Sequence, residues 1–323
     1  QRGIGKTTFI LDYIKRNYGY DKKALYISAD NAYFLENTLL KTASDFYSSQ
    51  NGKLLCIDEI HRYPNWSQEV KNITDSFPDM EVLFSGSSSI EIIKGKYDLS
   101  RRVAMYRMHG FSFREYLEFV TEHPIPRITL DELLHNHEEI SVEITSKIRV
   151  LSYFKDYLRF GFYPFYRRTR GEHDFFDRLH NAIEKTVYED IASLYRLRTA
   201  NLHIFRKLLH FIATSTPGEI SINQIALSVK RDNKTVEEYI RILEEAGLLI
   251  LLKNDGTGHS YIRKAEKMYV QNTNLLFAIT ESIGKAPFVG KVREVFAINQ
   301  FSISGNQVFY SEIGDFTCHG FYF

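Results

Sequence analysis

Along the first part of the chain, hydrophobic positions switch between helical spacing and the short runs typical of buried strands. Apolar residues recur at the spacing of one helix face from Thr7 to Arg16, which predicts an amphipathic helix. The strands and helices predicted after it are, in order, Lys23–Ser28, Phe34–Ser48, Lys53–Asp58, Trp66–Phe77, Met80–Phe84 and Arg102–Met108. Because strands alternate with helices here, we expect a parallel sheet joined by right-handed crossovers.

The rest of the chain changes pattern twice. Helical spacing dominates from Ser112 to Arg198, with a break at Gly161–Pro164. Three helical stretches then precede two short strands around a turn at Asp255–Gly258, which is the element order of a winged helix. Toward the C-terminus, Gly and Asn turns alternate with short aromatic strands. These shifts predict four parts, at residues 1–120, 121–198, 199–278 and 279–323.

Composition narrows the class of protein. The 323 residues carry a formal net charge of +1, so the chain as a whole has no polybasic footprint for nucleic acid. The aromatic content of 14% is higher than disordered segments carry. The two cysteines, Cys56 and Cys318, show no metal-ligand spacing and suit a reduced, cytoplasmic protein. The longest apolar run, Leu248–Leu252, is far too short to span a bilayer, so no membrane partner is expected.

The chain opens with QRGIGKTTF, whose end fits the phosphate-binding pattern G-x-x-x-x-G-K-[ST]. Gly5, Lys6 and Thr7 occupy the fixed positions, and Gln1–Ile4 fill the variable ones. The first glycine of the pattern is expected just before Gln1, and so is the strand that leads into the loop. Such glycines let backbone amides face phosphates, while the lysine reaches the β- and γ-phosphates and the hydroxyl serves Mg²⁺.

Farther along, an apolar strand ends in two acids, Asp58 and Glu59. Carboxylates at the carboxyl end of a parallel strand point into the crevice where ligands bind in open α/β sheets. Taken with the loop, Asp58 is expected to hold Mg²⁺ and Glu59 to orient the attacking water. The alternative is a core strand that ends in two solvated acids. The GIGKTT string at this spacing favours the nucleotide site.

The strings GIGKTT, LLCIDEIH, VLFSGSSS and RVAMYRMHGFSFREYL, in this order and spacing, resemble one branch of the AAA+ ATPases. That branch joins a P-loop core to a winged helix and a C-terminal restriction-endonuclease-like domain. The resemblance implies an α/β fold: a P-loop NTPase (AAA+) parallel sheet that lacks its first strand here, then a helical lid or linker, a winged helix and a partial nuclease-like α/β domain. In such a sheet the first strand is central and pairs with the fifth and the fourth.

The resemblance also implies the residues of an ATP site. The phosphate cradle comprises Arg2, Gly3, Ile4, Gly5, Lys6, Thr7 and Thr8. Thr7 and Asp58 are the implied Mg²⁺ ligands, and Glu59 is the implied catalytic acid. Because the first strand and first glycine are expected upstream, the printed fragment alone is expected to lack part of this site and its activity.

Four further residues are implied near the phosphates. Ser85 matches the polar sensor that ends the fourth strand, and Ser87 is the second choice. Arg101 or Arg102 matches an arginine that stabilises the phosphoryl transition state in cis or in trans, although surface solvation accounts for both equally well. His61 gives the string the look of a helicase DExH motif, but a loop histidine packed near Trp66 is the favoured interpretation.

The predicted winged helix has residues suited to DNA. In DNA-binding modules of this shape, the N-terminal residues of the second helix enter the major groove. The residues at that position are Lys230, Arg231, Asn233, Lys234 and Thr235. Acids on the same helix would repel a duplex if they faced it, and they are Glu237, Glu238, Glu244 and Glu245. Backbone contact with DNA is therefore expected rather than base reading, and a protein–protein role is the alternative.

The C-terminal part resembles the start of the nuclease-like domain of the same branch. Glu294 and Asp315 match its helix glutamate and strand aspartate, which bind metal in nucleases of that fold. The third element is expected just after Phe323. The alternative is a β-rich appendage with ordinary surface acids, and the domain is degenerate in some relatives.

The leading functional expectation is Mg²⁺-dependent ATP binding and hydrolysis, coupled to a conformational change that acts on or near DNA. One alternative is a nucleotide-gated switch that binds a protein and hydrolyses ATP slowly. The other is a DNA nuclease regulated by ATP. A homo-oligomer or another protein is a further expected partner.

Overall fold

The structure of the protein, a computed structural model, describes residues 2–87, 99, 102–195, 197–216, 220–255 and 267–323. The chain divides into two compact units, residues 1–108 and 109–323. Each unit has buried clusters of its own, for example around Leu55 and Ile57 in the first and around Leu117 and Ile148 in the second. The division into four parts drawn from the sequence stays a prediction.

The first unit is built on a three-stranded parallel sheet, in the order β1 (Ala24–Ser28), β2 (Leu54–Asp58) and β3 (Glu81–Phe84). Every residue of the central strand β2 is buried. Ser28 pairs with Asp58 in register, so the carboxyl ends of β1 and β2 meet at one edge of the sheet. The predicted mixed α/β architecture with a parallel sheet is therefore confirmed.

Helices cover both faces of this sheet. They are α1 (Lys6–Asn17), α2 (Leu39–Gln50) and α3 (Trp66–Ser76). On one face, Ile10 of α1 packs with Leu54 and Cys56 of β2. On the other face, α2 and α3 pack around Leu55 and Ile57 of the same strand. Because β2 is covered on both sides, its sequence is a continuous apolar run rather than an alternating one.

The segment between β1 and α2 contains a short 3-10 helix, Ala32–Leu35, that the sequence pattern did not separate from α2. The helix predicted over Phe34–Ser48 therefore begins later than expected. Asn31 caps the short helix and Thr38 caps α2, each with a side-chain oxygen that accepts a backbone N–H. Two caps in succession divide this segment into two helices.

The strand predicted over Arg102–Met108 is wrong, because the described residues there pair with no other strand. Val103 packs against the core, but Met105 and Tyr106 are exposed, the latter to 90%. An alternating pattern forms a strand only where a neighbouring strand supplies backbone partners, and the described residues supply none to this segment.

The second unit begins with helices, as the sequence predicts for Ser112–Arg198. They are α4 (Phe113–Thr121), α5 (Leu130–Lys147), α6 (Val150–Asp156), α7 (Glu172–Lys185) and α8 (Ala192–Tyr195), with π-helical segments at Tyr157–Gly161 and Thr186–Ile191 and a 3-10 helix at Pro164–Arg168. Capping boxes open α4 and α5, formed by Ser112 with Glu115 and by Thr129 with Glu132.

The π-helix Tyr157–Gly161 is completed by a buried asparagine from later in the chain. The Asn274 amide nitrogen donates to the carbonyl oxygens of Tyr157 at 3.0 Å and Leu158 at 2.9 Å. Its amide oxygen accepts the backbone N–H of Phe162 at 2.9 Å. Backbone groups that a π-helix leaves without regular partners are thus satisfied. The helix break predicted at Gly161–Pro164 coincides with this structural feature.

Three helices and an antiparallel strand pair follow: α9 (Thr199–Thr214), α10 (Ile222–Val229), α11 (Asn233–Glu245), β4 (Leu249–Leu252) and β5 (Lys267–Val270). Leu249 pairs with Val270 and Leu252 with Lys267. This is the element order expected from the sequence, and most of the expected turn at Asp255–Gly258 lies outside the described residues. The assignment as a winged helix stays a prediction.

The C-terminal part contains two helices and a small antiparallel sheet. They are α12 (Thr273–Glu281), α13 (Val289–Ile303), β6 (Phe309–Tyr310), β7 (Phe316–Cys318) and β8 (Phe321–Tyr322), with β7 in the middle of the sheet. Lys291 of α13 is fully buried. Its ammonium group donates to the carbonyl oxygens of Ile212 and, at 2.8 Å, Ser215 at the carboxyl end of α9. A cation at that end complements the helix dipole.

Candidate nucleotide site

The phosphate-binding loop meets the end of the acidic strand in the first unit. The Thr7 hydroxyl donates a hydrogen bond to Oδ2 of Asp58 at 2.5 Å, across 51 positions of sequence. Thr7 lies in the first turn of α1, and Asp58 is the last residue of β2. The two sequence strings that predict a nucleotide site therefore lie in contact at the carboxyl edge of the sheet.

Two glycines in the left-handed region precede α1. Gly3 and Gly5 have φ angles of 78° and 97°, in the left-handed region that favours glycine, and Gly5 is the N-cap. The first turn of the helix contains no acidic residue. The amides of a first helical turn point out of the helix end, where the helix dipole favours an anion.

The predicted cradle residues surround this helix start. Gly5 is the cap and Lys6, Thr7 and Thr8 form the first helical positions. The side chain of Ile4 is buried, at 2% exposure, and thus anchors the loop to the core rather than facing a ligand. Arg2 is half-buried and precedes the two-glycine turn.

Asp58 is almost fully buried, at 3% exposure, and its carboxylate is surrounded by donors. Oδ2 accepts from the hydroxyls of Thr7 at 2.5 Å and Tyr26 at 3.0 Å. Oδ1 accepts from the Ser85 hydroxyl and, at 3.0 Å, from the Glu59 amide. Burial alone would raise the pKa of Asp58, but these four hydrogen bonds outweigh burial and lower the pKa below its ordinary value. The carboxylate is therefore ionised at neutral pH and fixed in orientation.

Glu59 turns away from the strand on a strained backbone. Its φ of 48° is in the left-handed region, which is uncommon for a residue with a side chain. Its Oε2 accepts a hydrogen bond from the Ser87 hydroxyl at 2.9 Å and lies 3.4 Å from Nδ1 of His61. The His61 side chain is 3% exposed, while that of Glu59 is 26% exposed. His61 therefore neighbours the expected catalytic acid, and the favoured interpretation from the sequence gave it no such neighbour.

The predicted sensor residues both lie beside the two acids. Ser85 follows β3 directly and donates to Asp58, while Ser87 donates to Glu59. The amide of Ile60 also donates to the Ser85 carbonyl oxygen at 2.9 Å, which ties the chain after β3 to the chain after β2. The structure thus divides the two serines between the two carboxylates, although the sequence ranked them as alternatives for one role.

The predicted arginine lies elsewhere in the unit. The Arg102 guanidinium forms a two-pronged ion pair with Asp75, with its Nε 2.8 Å from Oδ1 and a terminal nitrogen 3.2 Å from Oδ2. Asp75 lies in the last turn of α3, which leads to the amino end of β3, whereas Asp58 lies at the carboxyl edge of the sheet. The structure therefore does not bring Arg102 to the acids. Arg101 lies outside the described residues.

One residue of the site was missed by the sequence analysis. Tyr26 of β1 reaches Asp58 with its hydroxyl, and burial together with the Asp58 charge raises the pKa of Tyr26 to about 12. The signal that could have found it is the alternation of side chains along KALYIS. Leu25 and Ile27 pack against the core shared with α2 and α3, so Tyr26 faces the opposite side, toward α1.

The residues present fit a magnesium ion. The Thr7 hydroxyl and the Asp58 carboxylate are hard oxygen donors and already lie side by side. Among the described residues, no group of three or more His, Cys, Asp or Glu side chains could hold a metal by itself. This agrees with magnesium sites that use one or two protein oxygens and complete their ligands with waters and substrate phosphates.

The predicted DNA-contacting residues lie at the start of α11, in the second unit. Lys230, Arg231, Asn233 and Lys234 are exposed and Thr235 is half-buried. Asp232 caps the helix by accepting the Thr235 amide at 2.9 Å. Arg231 donates to the Asn201 side chain at 3.3 Å, and Asn233 bonds Asn223 at 2.5 Å. Exposed cations are thus present, but a carboxylate lies among them.

The predicted nuclease acids are held by neighbouring side chains. The Tyr269 hydroxyl donates to Glu294, and the Lys267 ammonium group pairs with Asp315 at 3.1 Å. Lys267 and Tyr269 lie two positions apart on β5, so both point to the same face of that strand. Burial, and then the nearby Asp315 charge, raise the pKa of Glu294 despite the bond from Tyr269. Both acids thus have partners within the chain.

Comparison with known families agrees with the geometry of the first unit. Residues 1–117 match a family model described as an AAA domain. Residues 151–284 match a second model, described as a domain of unknown function, DUF8612. No curated protein matches the chain. The first match supports an AAA-like P-loop ATPase, and with it nucleotide binding and hydrolysis. Among the described residues, no helix is long and apolar enough to cross a membrane.

Proposed function

We propose that the protein binds ATP together with Mg²⁺ at the start of α1 and hydrolyses it, and that turnover is coupled to contact with DNA through α11. The observation that carries the proposal is the 2.5 Å hydrogen bond between the Thr7 hydroxyl and the Asp58 carboxylate. A chance run of Gly, Lys and Thr would have no reason to lie against a buried, ionised aspartate at a strand end. The match of residues 1–117 to an AAA domain points the same way.

Each group has a role set by its chemistry. The backbone amides of the first turn of α1 and the Lys6 ammonium group bind the phosphates. Thr7 and Asp58 would hold the magnesium ion, which when bound neutralises charge on the phosphates. Glu59, whose Oε2 accepts from Ser87, orients the attacking water. Ser85 donates to Asp58 and would respond to a change at the phosphates through that carboxylate.

The DNA part of the proposal comes from exposed donors at the start of α11. Lys230, Arg231 and Lys234 are exposed there, in an element order that suits a winged helix. With a net charge of only +1, the chain is expected to contact the sugar–phosphate backbone rather than read bases. Asp232 and the acids farther along the helix limit how close a duplex can lie.

A nucleotide-gated switch with slow hydrolysis is a second candidate, and one contact favours it. Arg102, one of the two arginines that the sequence offers for the transition state, is engaged with Asp75 at the other end of the sheet. Loss of an arginine finger slows related phosphoryl transfers by roughly 10³–10⁵-fold. A partner that supplies such an arginine, including a second copy of this chain, would restore fast turnover.

A steady-state ATPase assay on the full-length protein, with and without duplex DNA, separates the candidates. Stimulation by DNA, lost in a Lys230→Ala/Arg231→Ala/Lys234→Ala variant, supports the coupled ATPase. Slow turnover that DNA leaves unchanged supports the switch. Lys6→Ala is expected to remove ATP binding in either case, because the ammonium group contacts the phosphates. Lys22→Ala, which removes an exposed lysine outside the loop, is the matched control. Unchanged ATP binding by Lys6→Ala would reject both.

A further inference from the structure

Tyr26 contacts the candidate nucleotide site, although it belongs to none of the sequence motifs that predict the site. Its register partner on β2 is Cys56, and Ser28, two positions on, pairs with Asp58. The phenol therefore reaches forward along the shared face of β1 and β2 to the last residue of β2. Its hydroxyl donates to Oδ2 of Asp58 at 3.0 Å.

The contact shares an oxygen with the phosphate-binding loop. Oδ2 of Asp58 accepts from Tyr26 and from Thr7, while Oδ1 accepts from two other donors. Each carboxylate oxygen thus has two donors, and at 3% exposure Asp58 has little water to replace any of them. Without the phenol, Thr7 would be the one remaining donor to Oδ2 among those the structure shows, so this side of the carboxylate would be held less firmly.

Packing holds the Tyr26 side chain in the position from which its hydroxyl reaches Asp58. The ring itself packs with Ile10, Leu54 and Cys56 between α1 and β2. Packing fixes the ring, and the fixed ring aims the hydroxyl.

We infer that Tyr26 is a positioning residue for the magnesium–nucleotide site, which holds the Asp58 carboxylate in place and so strengthens binding of Mg²⁺-ATP relative to free ATP. The inference rests on the proposed function, because Asp58 has this role only if the loop binds nucleotide. Hydrogen bonds to metal-binding groups typically change metal affinity by about 10–100-fold when they are removed. A role in packing alone would affect both forms of the nucleotide equally.

Isothermal titration of ATP into the full-length protein tests the inference, first with EDTA and then at increasing MgCl₂. Tyr26→Phe keeps the ring and removes only the hydroxyl. We expect its affinity for ATP in EDTA to match the native protein, and its gain in affinity from Mg²⁺ to fall about tenfold. Tyr18→Phe is the matched control, because Tyr18 packs in the same cluster. Its gain from Mg²⁺ is expected to remain native.

Three results would overturn the inference, and they differ in whether part of the proposed function fails with it. If Asp58→Asn loses the gain from Mg²⁺ while Tyr26→Phe keeps it, the inference fails and the proposed function stands. If Asp58→Asn itself keeps the native gain, the metal role of Asp58 fails and the inference goes with it. Equal loss of affinity with and without Mg²⁺ in Tyr26→Phe would show a packing role, which also overturns the inference.

Discussion

The chain places two pairs of acids where the sequence predicts chemistry, and the structure surrounds them differently. Asp58 of the first unit accepts hydrogen bonds from hydroxyls and an amide, which are neutral donors. Asp315 of the second unit is paired with the Lys267 ammonium group, and Glu294 accepts from Tyr269. Neutral donors fix the direction of a carboxylate and leave its charge available to a cation. An ammonium group, by contrast, neutralises the charge of the carboxylate with which it pairs.

The difference shows that two acids in a motif do not by themselves make a metal site, because the groups around them decide whether the carboxylates favour the charged form. The pKa of Asp58 is lowered by its hydrogen bonds, whereas the pKa of Glu294 is raised, chiefly by burial. Hydrogen bonds thus favour the charged form of Asp58, whereas burial disfavours the charged form of Glu294.

The largest expected effect is a difference in kcat between variants of Glu59 and Glu294. Glu59→Gln keeps the shape of the side chain and removes its ability to act as a base, so kcat for ATP should fall by about 10²–10⁴-fold with binding retained. Glu294→Gln makes the same change in the second unit and should leave kcat for ATP unchanged. Steady-state ATPase kinetics and ATP titration check both variants. Normal turnover by Glu59→Gln would falsify the assignment of Glu59 to water activation.

A smaller effect is expected at Lys291, the buried cation on the same helix as Glu294. Burial lowers the pKa of Lys291 from 10.5 to about 8, so the folded protein releases a proton that the unfolded chain keeps. The free energy of unfolding should therefore rise between about pH 8 and pH 10.5, by about 3 kcal/mol at most, since one pKa unit corresponds to about 1.4 kcal/mol. Urea unfolding across this range measures it.

The control for that experiment is Lys291→Met, which has no titrating group at this position. Its free energy of unfolding should lack the extra rise, and tyrosines that titrate in the same range cancel in the comparison. Parallel curves for the native protein and Lys291→Met would contradict the lowered pKa.

The smallest effects concern Asp58 and Glu294, and they should have opposite signs. The lowered pKa of Asp58 means that its charged form stabilises the fold above its ordinary value of 3.8, and that this stability is lost as pH falls through the folded value. Asp58→Asn should therefore destabilise the protein at pH 7, by about 1–3 kcal/mol, and less in acid. Chemical unfolding at both pH values measures the difference.

For Glu294 the pKa is raised above 4.5, so its contribution is present below that pH and is lost as pH rises through the folded value. Glu294→Gln should accordingly destabilise the protein less at pH 7 than near pH 4. Equal destabilisation of the protein at pH 7 by Asp58→Asn and Glu294→Gln would contradict the opposite pKa shifts of the two acids.

Much of the first unit could be predicted from the sequence, because its signals are local. The apolar run of β2 and the spacing of α1 predicted both elements to within about one residue at the ends. The pairing of Thr7 with Asp58 followed from a pattern whose chemistry requires both groups. Residue types at fixed spacing were sufficient there.

What the sequence did not give depends on contacts between distant residues. The Tyr26 contact needs the strand register, which a pattern of single strands does not contain. The pairing of Arg102 with Asp75 needs the position of α3, and the strand predicted over Arg102–Met108 needs a partner strand. The lysine and tyrosine that engage the C-terminal acids come from β5, well before those acids in the sequence.

Because the backbone at Glu59 is left-handed, stability and the proposed activity favour different residues at this position. A glycine would adopt its φ of 48° without strain, so that replacement would relax the turn and remove the carboxylate together. Under the proposed role of Glu59 in hydrolysis, selection for stability alone would favour glycine at this position, whereas selection for turnover would keep glutamate there.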